Sequence, residues 1–388
     1  MAAYDPAVQP GKAIRELSAK MTARLMTAVL LLALHAKWQQ LGGPSEGPGG
    51  SSRASAQAAR GGQPDWVQVL DKAPFSPRDT AEDLVYDGRM WLSNGWHPPQ
   101  VLTRDLWCST DGTRWKLVSD NTPYDGYSEM VAYHGKMWAV KKTVWTSTNG
   151  VVWQKVSDAT PFGERSYGEA VVWRDRICQL GSGEDVWSTS DGLQWRCDHK
   201  SAPYGKRFAS AVTVFHDKLW LMAGATPEPN NPPEKGYKTT TTHNDVWCSA
   251  DGANWTRVVE HAPWAPRQWS AAQVYAGRIW LIGGYDNVNG RNLGDVWTSV
   301  DGSRWERFAT SHPFAPRHEV TPYAYAGSLW VVAGNTWPVV NDVWRLTVQE
   351  PASTSRSAAA NANGLPPARP GSTLLAETNP GEDERDTR

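Results

Sequence analysis

One stretch recurs along the chain and restricts its fold more than any other feature. Asp295 to Phe308 reads DVWTSVDGSRWERF, and the same pattern returns as DLWCSTDGTRWKLV, TVWTSTNGVVWQKV, DVWSTSDGLQWRCD and DVWCSADGANWTRV. A truncated copy, DVWRLTV, begins at Asp342. Each full copy splits into two short strands around an Asp-Gly or Asn-Gly pair, a strong signal for a tight hairpin. Repetition at several tens of residues is the signature of stacked or radially arranged units, each too small to bury a core alone. The chain carries 23 Trp against 6 Phe, as expected if template tryptophans were copied with the repeat.

Each repeat is read as four strands. The first runs from a Pro-aromatic-x-x-Arg element to an aromatic before a turn, as in Pro263–Arg278. The second is apolar and ends in small residues, as in Ile279–Gly284; the third is DVWTS, and the fourth starts at the Trp after Asp-Gly. The third-strand Trp falls at Trp107, Trp145, Trp187, Trp247, Trp297 and Trp344, and the fourth-strand Trp at Trp66, Trp115, Trp153, Trp195, Trp255 and Trp305. The first element, Asp65 to Leu70, is therefore a fourth strand without its first three, and Asp342 to Val348 a third strand without its fourth. Pairing of these two halves would complete a sixth unit and remove open sheet edges. The expected fold is all-β: a six-bladed β-propeller of four-stranded antiparallel blades spanning 64–349.

The diglycine at Gly283-Gly284, the Asn-Asp-Val-Trp at Asn244–Trp247 and Asn341–Trp344, and the fourth-strand Trp resemble kelch repeats of the galactose oxidase type. The diglycine becomes Asn94-Gly95, Ala223-Gly224 and Ala333-Gly334 elsewhere, and is lost at Lys141-Lys142. The Ser-x-Asp-Gly-x-x-Trp turn is similar to a shortened Asp-box of sialidase propellers. Kelch resemblance implies a scaffold, on which unrelated functions are hosted.

The flanks differ from the repeats. Arg15, Lys20 and Arg24 precede an apolar run, Leu25 to Ala36. That run is too short for a bilayer span, which needs ~20 residues, and suits the core of a secretory signal. Residues 1–41 are read as a signal-like leader, 42–63 as a Gly/Ser/Ala-rich linker and 350–388 as a polar tail without a core. A secreted or periplasmic monomer is expected, cytoplasmic if the leader is no signal and membrane-attached only if it stays uncleaved. Net charge is −1, which provides no global field for nucleic acid. Cys108 and Cys248 share a template position in non-adjacent repeats, and Cys178 and Cys197 lie two strands apart. Neighbouring strands are ~4.8 Å apart, so that separation exceeds the ~7 Å Cα limit of a disulfide. No metal-ligand spacing is present, and no metal or cofactor is expected.

Loop topology sorts candidate sites. The Asp-Gly turns crowd one face and are read as structural, their Asp and Ser bonding nearby backbone. The opposite face holds an arginine at the head of each inner strand: Arg78, Arg165, Arg207, Arg267 and Arg317, with Tyr127 standing in the second blade. Either these tie neighbouring blades together, or they form a basic mouth suited to a carboxylate or sulfate. The residues after each arginine vary most, among them Asp79, Tyr167, Phe208, Gln268-Trp269 and His318-Glu319. Trp96, Trp269 and Trp337 have no template role and map to this face. Exposed aromatics beside polar groups hold sugars or flat ligands. The loop from Ala225 to Asn244 is long enough for a lid or a partner contact, and Asp286–Gly290 is faintly like a calcium loop.

The reading that follows is an exported binding module for a glycan or protein, its ligand held at the channel mouth by Arg267, Arg317, Trp269, Trp337 and Glu319. The alternative is a carbohydrate-active enzyme, a glycoside hydrolase of sialidase type or a sugar mutarotase or epimerase. By resemblance to sialic acid mutarotases of the kelch class, an arginine would hold the sugar carboxylate while Glu319, Glu129 or His318 moved protons. A copper oxidase of galactose oxidase type would need a Tyr/Cys cofactor, and no cysteine maps to that face.

Overall fold

A computed structural model describes residues 64–99, 101–227 and 240–348. The expected leader, most of the linker, the tail and the middle of the Ala225–Asn244 loop lie outside the described residues. These contain strands and turns and no helix, arranged as a six-bladed β-propeller.

Blade 1 comprises Glu82–Tyr86, Arg89–His97, Val101–Ser109 and Lys116–Ser119; blade 2 Glu129–Tyr133, Lys136–Val140, Val144–Ser147 and Gln154–Ser157. Blade 3 comprises Glu169–Trp173, Arg176–Leu180, Val186–Thr189 and Arg196–His199; blade 4 Ala211–Phe215, Lys218–Met222, Val246–Ser249 and Trp255–Val259. Blade 5 comprises Ala271–Tyr275, Arg278–Ile282, Val296–Ser299 and Glu306–Arg307. In blade 6, Thr321–Tyr325, Ser328–Asn335 and Val339–Leu346 are joined by Trp66–Leu70, which pairs antiparallel with Trp66 opposite Leu346 and Val67 opposite Arg345. Asp65 anchors that strand by accepting hydrogen bonds from Thr310, Ser311 and His312.

The hairpin turn explains the repeated sequence. In blade 5, Ser299 Oγ accepts the Gly302 N–H at 2.8 Å, and Asp301 Oδ1 accepts the N–H groups of Ser303 and Arg304, each at 2.8 Å. Trp305 then donates its indole N–H to the Gly302 carbonyl at 3.0 Å. Gly302 is required twice over. Its φ is +76°, which glycine adopts without a Cβ penalty, and a Cβ there would fall 2.1 Å from the Trp220 ring of blade 4. The same relation puts Gly112 on Trp330, Gly150 on Trp91 and Gly192 on Trp138. The second-strand tryptophans of blades 1, 2, 4 and 6 thus floor the next blade's turn, and Trp280 of blade 5 packs on Phe308 instead. Blade 3 has Cys178 at that strand position, and Trp173 from its inner strand is the ring that lies nearest Gly252. The four cysteines are free.

Burial follows the same logic. Six apolar clusters lie at the six blade junctions; one joins Leu84, Trp91 and Leu106 of blade 1 to Met130 and Met137 of blade 2. Polar ties reinforce them. The Tyr86, Tyr133, Tyr275 and Tyr325 hydroxyls each donate to a carbonyl in the turn of the following blade, at 2.6–2.9 Å. The inner strands thereby stand side by side around a central channel.

Candidate site at the channel mouth

The arginines fix the ends of the blades. Arg267 Nη1 and Nη2 donate to Asp295 Oδ1 and Oδ2 at 2.7 and 2.9 Å, and Nη1 also donates to the Gly283 carbonyl at 2.9 Å. Asp295 Oδ2 additionally accepts the Trp297 indole N–H at 2.7 Å. The same bidentate pair joins Arg78 to Asp105, Arg165 to Asp185, Arg207 to Asp245 and Arg317 to Asp342. Fork-to-fork pairing of this kind is the strong form of the contact. Burial alone would raise the Asp295 pKa, but the Arg267 hydrogen bonds and charge more than offset it and hold it below the usual range. Arg78 and Arg267 are fully buried, and none of the five arginines lines the central cavity. The basic mouth expected from the sequence is therefore not formed. The other expectation, a tie between blades, holds for the residue as a whole. Each guanidinium joins strands of its own blade, while the backbone N–H groups of Arg78, Arg207, Arg267 and Arg317 donate to the Val340, Gly183, His243 and Leu293 carbonyls of the preceding blade; tyrosine hydroxyls add further ties across. Blade 2 has lost both partners together. Thr143 stands where the others have Asp and accepts the Trp145 indole at 3.0 Å.

What faces the channel is the residue two positions after each arginine. Thr80, Tyr127, Tyr167, Ala209, Trp269 and Glu319 occupy this place, one per blade, and all six have φ between 49° and 60°. Tyr127 belongs to this ring and does not replace an arginine. In blades 4, 5 and 6 the left-handed turn has a backbone cause: it aims the N–H at the ring carbonyl of the preceding blade. Ala209 N–H donates to Tyr167 O at 2.9 Å, Trp269 N–H to Ala209 O at 3.1 Å and Glu319 N–H to Trp269 O at 2.8 Å. It also explains why Trp269 and Arg267 diverge, because strand alternation fails across a left-handed residue. L-residues other than Gly, Asn or Asp rarely adopt this conformation, and bulky or β-branched ones are true outliers there.

Beneath the ring is a cavity of about 100 Å³. Tyr127, Tyr167 and Trp269 form its aromatic wall, with ring centroids 5.3 Å apart for the tyrosines and 6.1 Å for Tyr167 and Trp269. Glu82, Glu129 and Glu169 begin the inner strands of blades 1 to 3 and line it, with Asp83 beside them and Glu319 from the ring. Burial pushes Glu82 up to about 8 and Asp83 to about 7. Burial and neighbouring carboxyls hold Glu129 well above the usual range, its carboxyl lying within hydrogen-bonding reach of Glu82. Glu169 and Glu319 are raised well above it for the same two reasons. Thr80 donates to Glu319 and, at 2.9 Å, to Asp79. Burial raises Asp79 to about 6 despite the Asn335 and Thr80 hydrogen bonds.

The remaining candidates sit around this cavity. His318 is buried behind Trp269, stacked on it at 5.1 Å, with Nδ1 2.7 Å from Asn292 Oδ1; burial pulls its pKa down to about 3. Trp337 is half-exposed at the rim and tilts against His318 at 5.4 Å. Trp96 bridges to Asp79 through backbone and does not line the cavity. In the loop at Asp286–Gly290, the Asp286 carboxylate accepts the backbone and side-chain N–H groups of Asn289 and lies 3.6 Å from Arg291. Glu82, Asp83 and Glu169 escaped the sequence reading. Their signal was an acid at the start of three inner strands where the other repeats carry Ala or Thr.

No family model and no curated protein matches the sequence. Among solved structures, that of YjhT superposes with a TM-score of 0.56 over 73% of this chain and 98% of its own, at 13% identity. This likeness carries the propeller fold alone.

Proposed function

We propose that the protein is an exported, kelch-type propeller that binds a small polyhydroxylated ligand, a glycan unit, at the channel mouth. The observation behind this is the ring itself. A left-handed position costs least with glycine, yet this ring carries Tyr127, Tyr167, Trp269, Thr80 and Glu319. Strain of this type is kept where the side chain has a task, and here it sets indole and phenol faces above hydrogen-bonding carboxyls. Stacking on a ring face combined with polar contacts at its edge is how sugars are held. The acidic floor argues against the sialic-acid-like ligand expected from the arginines. Export rests on the apolar run behind the basic segment near Met21.

A second reading, proton transfer on the bound sugar as in a mutarotase, is favoured by the Glu82–Glu129 pair. One of these carboxyls holds a proton while its neighbour accepts it, as acid–base catalysis requires. A glycan array with tryptophan fluorescence titration tests binding, and an anomer-exchange measurement by NMR tests catalysis. Trp269→Ala is expected to weaken binding roughly tenfold, from stacking worth about 1 kcal/mol or more, with an unchanged melting temperature. Wild-type protein that binds no glycan would overturn the proposal. Anomer exchange that Glu129→Gln leaves unchanged would overturn the second reading.

A further inference from the structure

The cavity lining includes five carboxyl-bearing residues, Glu82, Asp83, Glu129, Glu169 and Glu319, and no Lys or Arg. Lys141 is close by but committed: its Nζ donates to the Gly126 carbonyl at 3.0 Å and pairs with Glu164 at 2.7 Å. Its ammonium also lies 5.6 Å from the Tyr127 ring centroid, so this aromatic wall already accepts a cation on one face. Ser270 Oγ, in a residue only 6% exposed, lines the cavity and has no hydrogen-bond partner. A buried hydroxyl without a partner is unusual and costly, and this one is placed to meet a ligand donor.

Two kinds of positive guest would satisfy such a site. A metal ion needs oxygen ligands converging at ~2.3–2.6 Å for calcium. Among the described residues, the one group of three His, Cys, Asp or Glu donors close enough together is Asp79, His318 and Glu319. No three of the floor carboxyls Glu82, Asp83, Glu129 and Glu169 converge in this way; apart from the Glu82–Glu129 pair they are spread around the cavity. Spread carboxyls under an aromatic wall match a cation whose charge is carried on a larger skeleton, because ammonium groups are attracted by aromatic faces as well as by carboxylates.

We infer that the ligand is an organic cation, an ammonium group on a polyhydroxylated skeleton, of which an amino sugar is the simplest form. This rests on the glycan reading above and adds the ligand's charge. The ammonium lies over the carboxyl floor, with Ser270 Oγ as a further acceptor, while the sugar ring lies against Trp269 and Tyr167.

Fluorescence and ligand-observed NMR titrations of the full chain at pH 7.5 test it, with glucosamine, glucose, N-acetylglucosamine, methylammonium and calcium chloride as probes. Glucosamine is expected to bind roughly tenfold more tightly than glucose or N-acetylglucosamine, the worth of one charge-assisted contact, the ammonium drawing one raised carboxyl back to its ionised form with release of its proton. Glu319→Gln and, separately, Glu169→Gln are expected to remove that preference, so that glucosamine binds no more tightly than glucose to either variant; circular dichroism confirms folding of both. Equal affinity for glucosamine and glucose would overturn the charge inference while leaving the glycan site standing. Binding of methylammonium with failure of every sugar would keep the charge and remove the glycan reading. Calcium binding with no response to any sugar or to methylammonium would overturn both.

Discussion

At the scale of the residue, the ring position separates what the backbone needs from what the ligand needs. All six blades place a left-handed residue here, in blades 4, 5 and 6 with its N–H bonded back to the preceding blade, and glycine would serve each of them. Ala209 is the member with neither an aromatic ring nor a polar side chain to offer. Ala209→Gly is therefore expected to relieve strain and raise stability by up to about 1 kcal/mol, read as a higher melting temperature with ligand affinity unchanged. Variation within the template marked Tyr127, Trp269 and Glu319 in the sequence itself. The left-handed turn that swings them over the channel was not legible, because Thr, Tyr, Trp and Glu are not residues that announce it. Glu82, Asp83 and Glu169 were hidden for another reason. An acid at the head of a short strand reads as an ordinary solvated residue until the ring brings three of them together.

At the scale of the element, the arginine–aspartate pair is the clamp of every blade but the second. Arg267 joins the strand entry to the Gly283 carbonyl and to Asp295, and Asp295 orients Trp297. Removing one partner of a buried pair leaves the other charge unmatched, at a cost of about 3–5 kcal/mol. Arg267→Ala is expected to lower the denaturation midpoint accordingly, whereas a drop in ligand affinity with full stability would return the arginine to the binding site. The pair also has a sign with pH. Its aspartate is held below its unfolded value, so its contribution is present above the unfolded pKa, near 4, and is lost as pH falls below it. The strand order, the turns and the template tryptophans were legible from repetition. The clamp was half legible: blade 2 lacks both the arginine and the aspartate, a joint loss that points to their pairing within one blade.

At the scale of the whole molecule, the channel carboxyls act together. Their folded-state pKa values are raised, so the folded protein holds more protons than the unfolded chain between about pH 4, the unfolded value, and about 8, where Glu82 titrates. Stability contributed by these groups is full at the acid end of that window and falls as pH rises through 7 and 8. Melting temperatures measured from pH 5 to 8.5 are expected to decline, and Glu82→Gln to flatten the decline; a wild-type profile that climbs to pH 8.5 would contradict the burial of these acids. Repetition made the architecture legible because every blade restates it. The site was less so, because it consists of the departures from the repeat, whose side chains meet only after the ring forms. One such departure reaches further. Cys178 and Trp173 are two changes in one blade, the tryptophan approaching the turn glycine that the template tryptophan would floor. The units have thus ceased to be interchangeable parts. A chimera that grafts blade 5 into the third position imports its own Trp280, but its partner surface is shaped for Phe314 and Phe308, not for Gly252. Inherited modularity is retained in the backbone and spent in the side chains, so blade shuffling in this protein must move junctions, each with half of two neighbours, instead of blades.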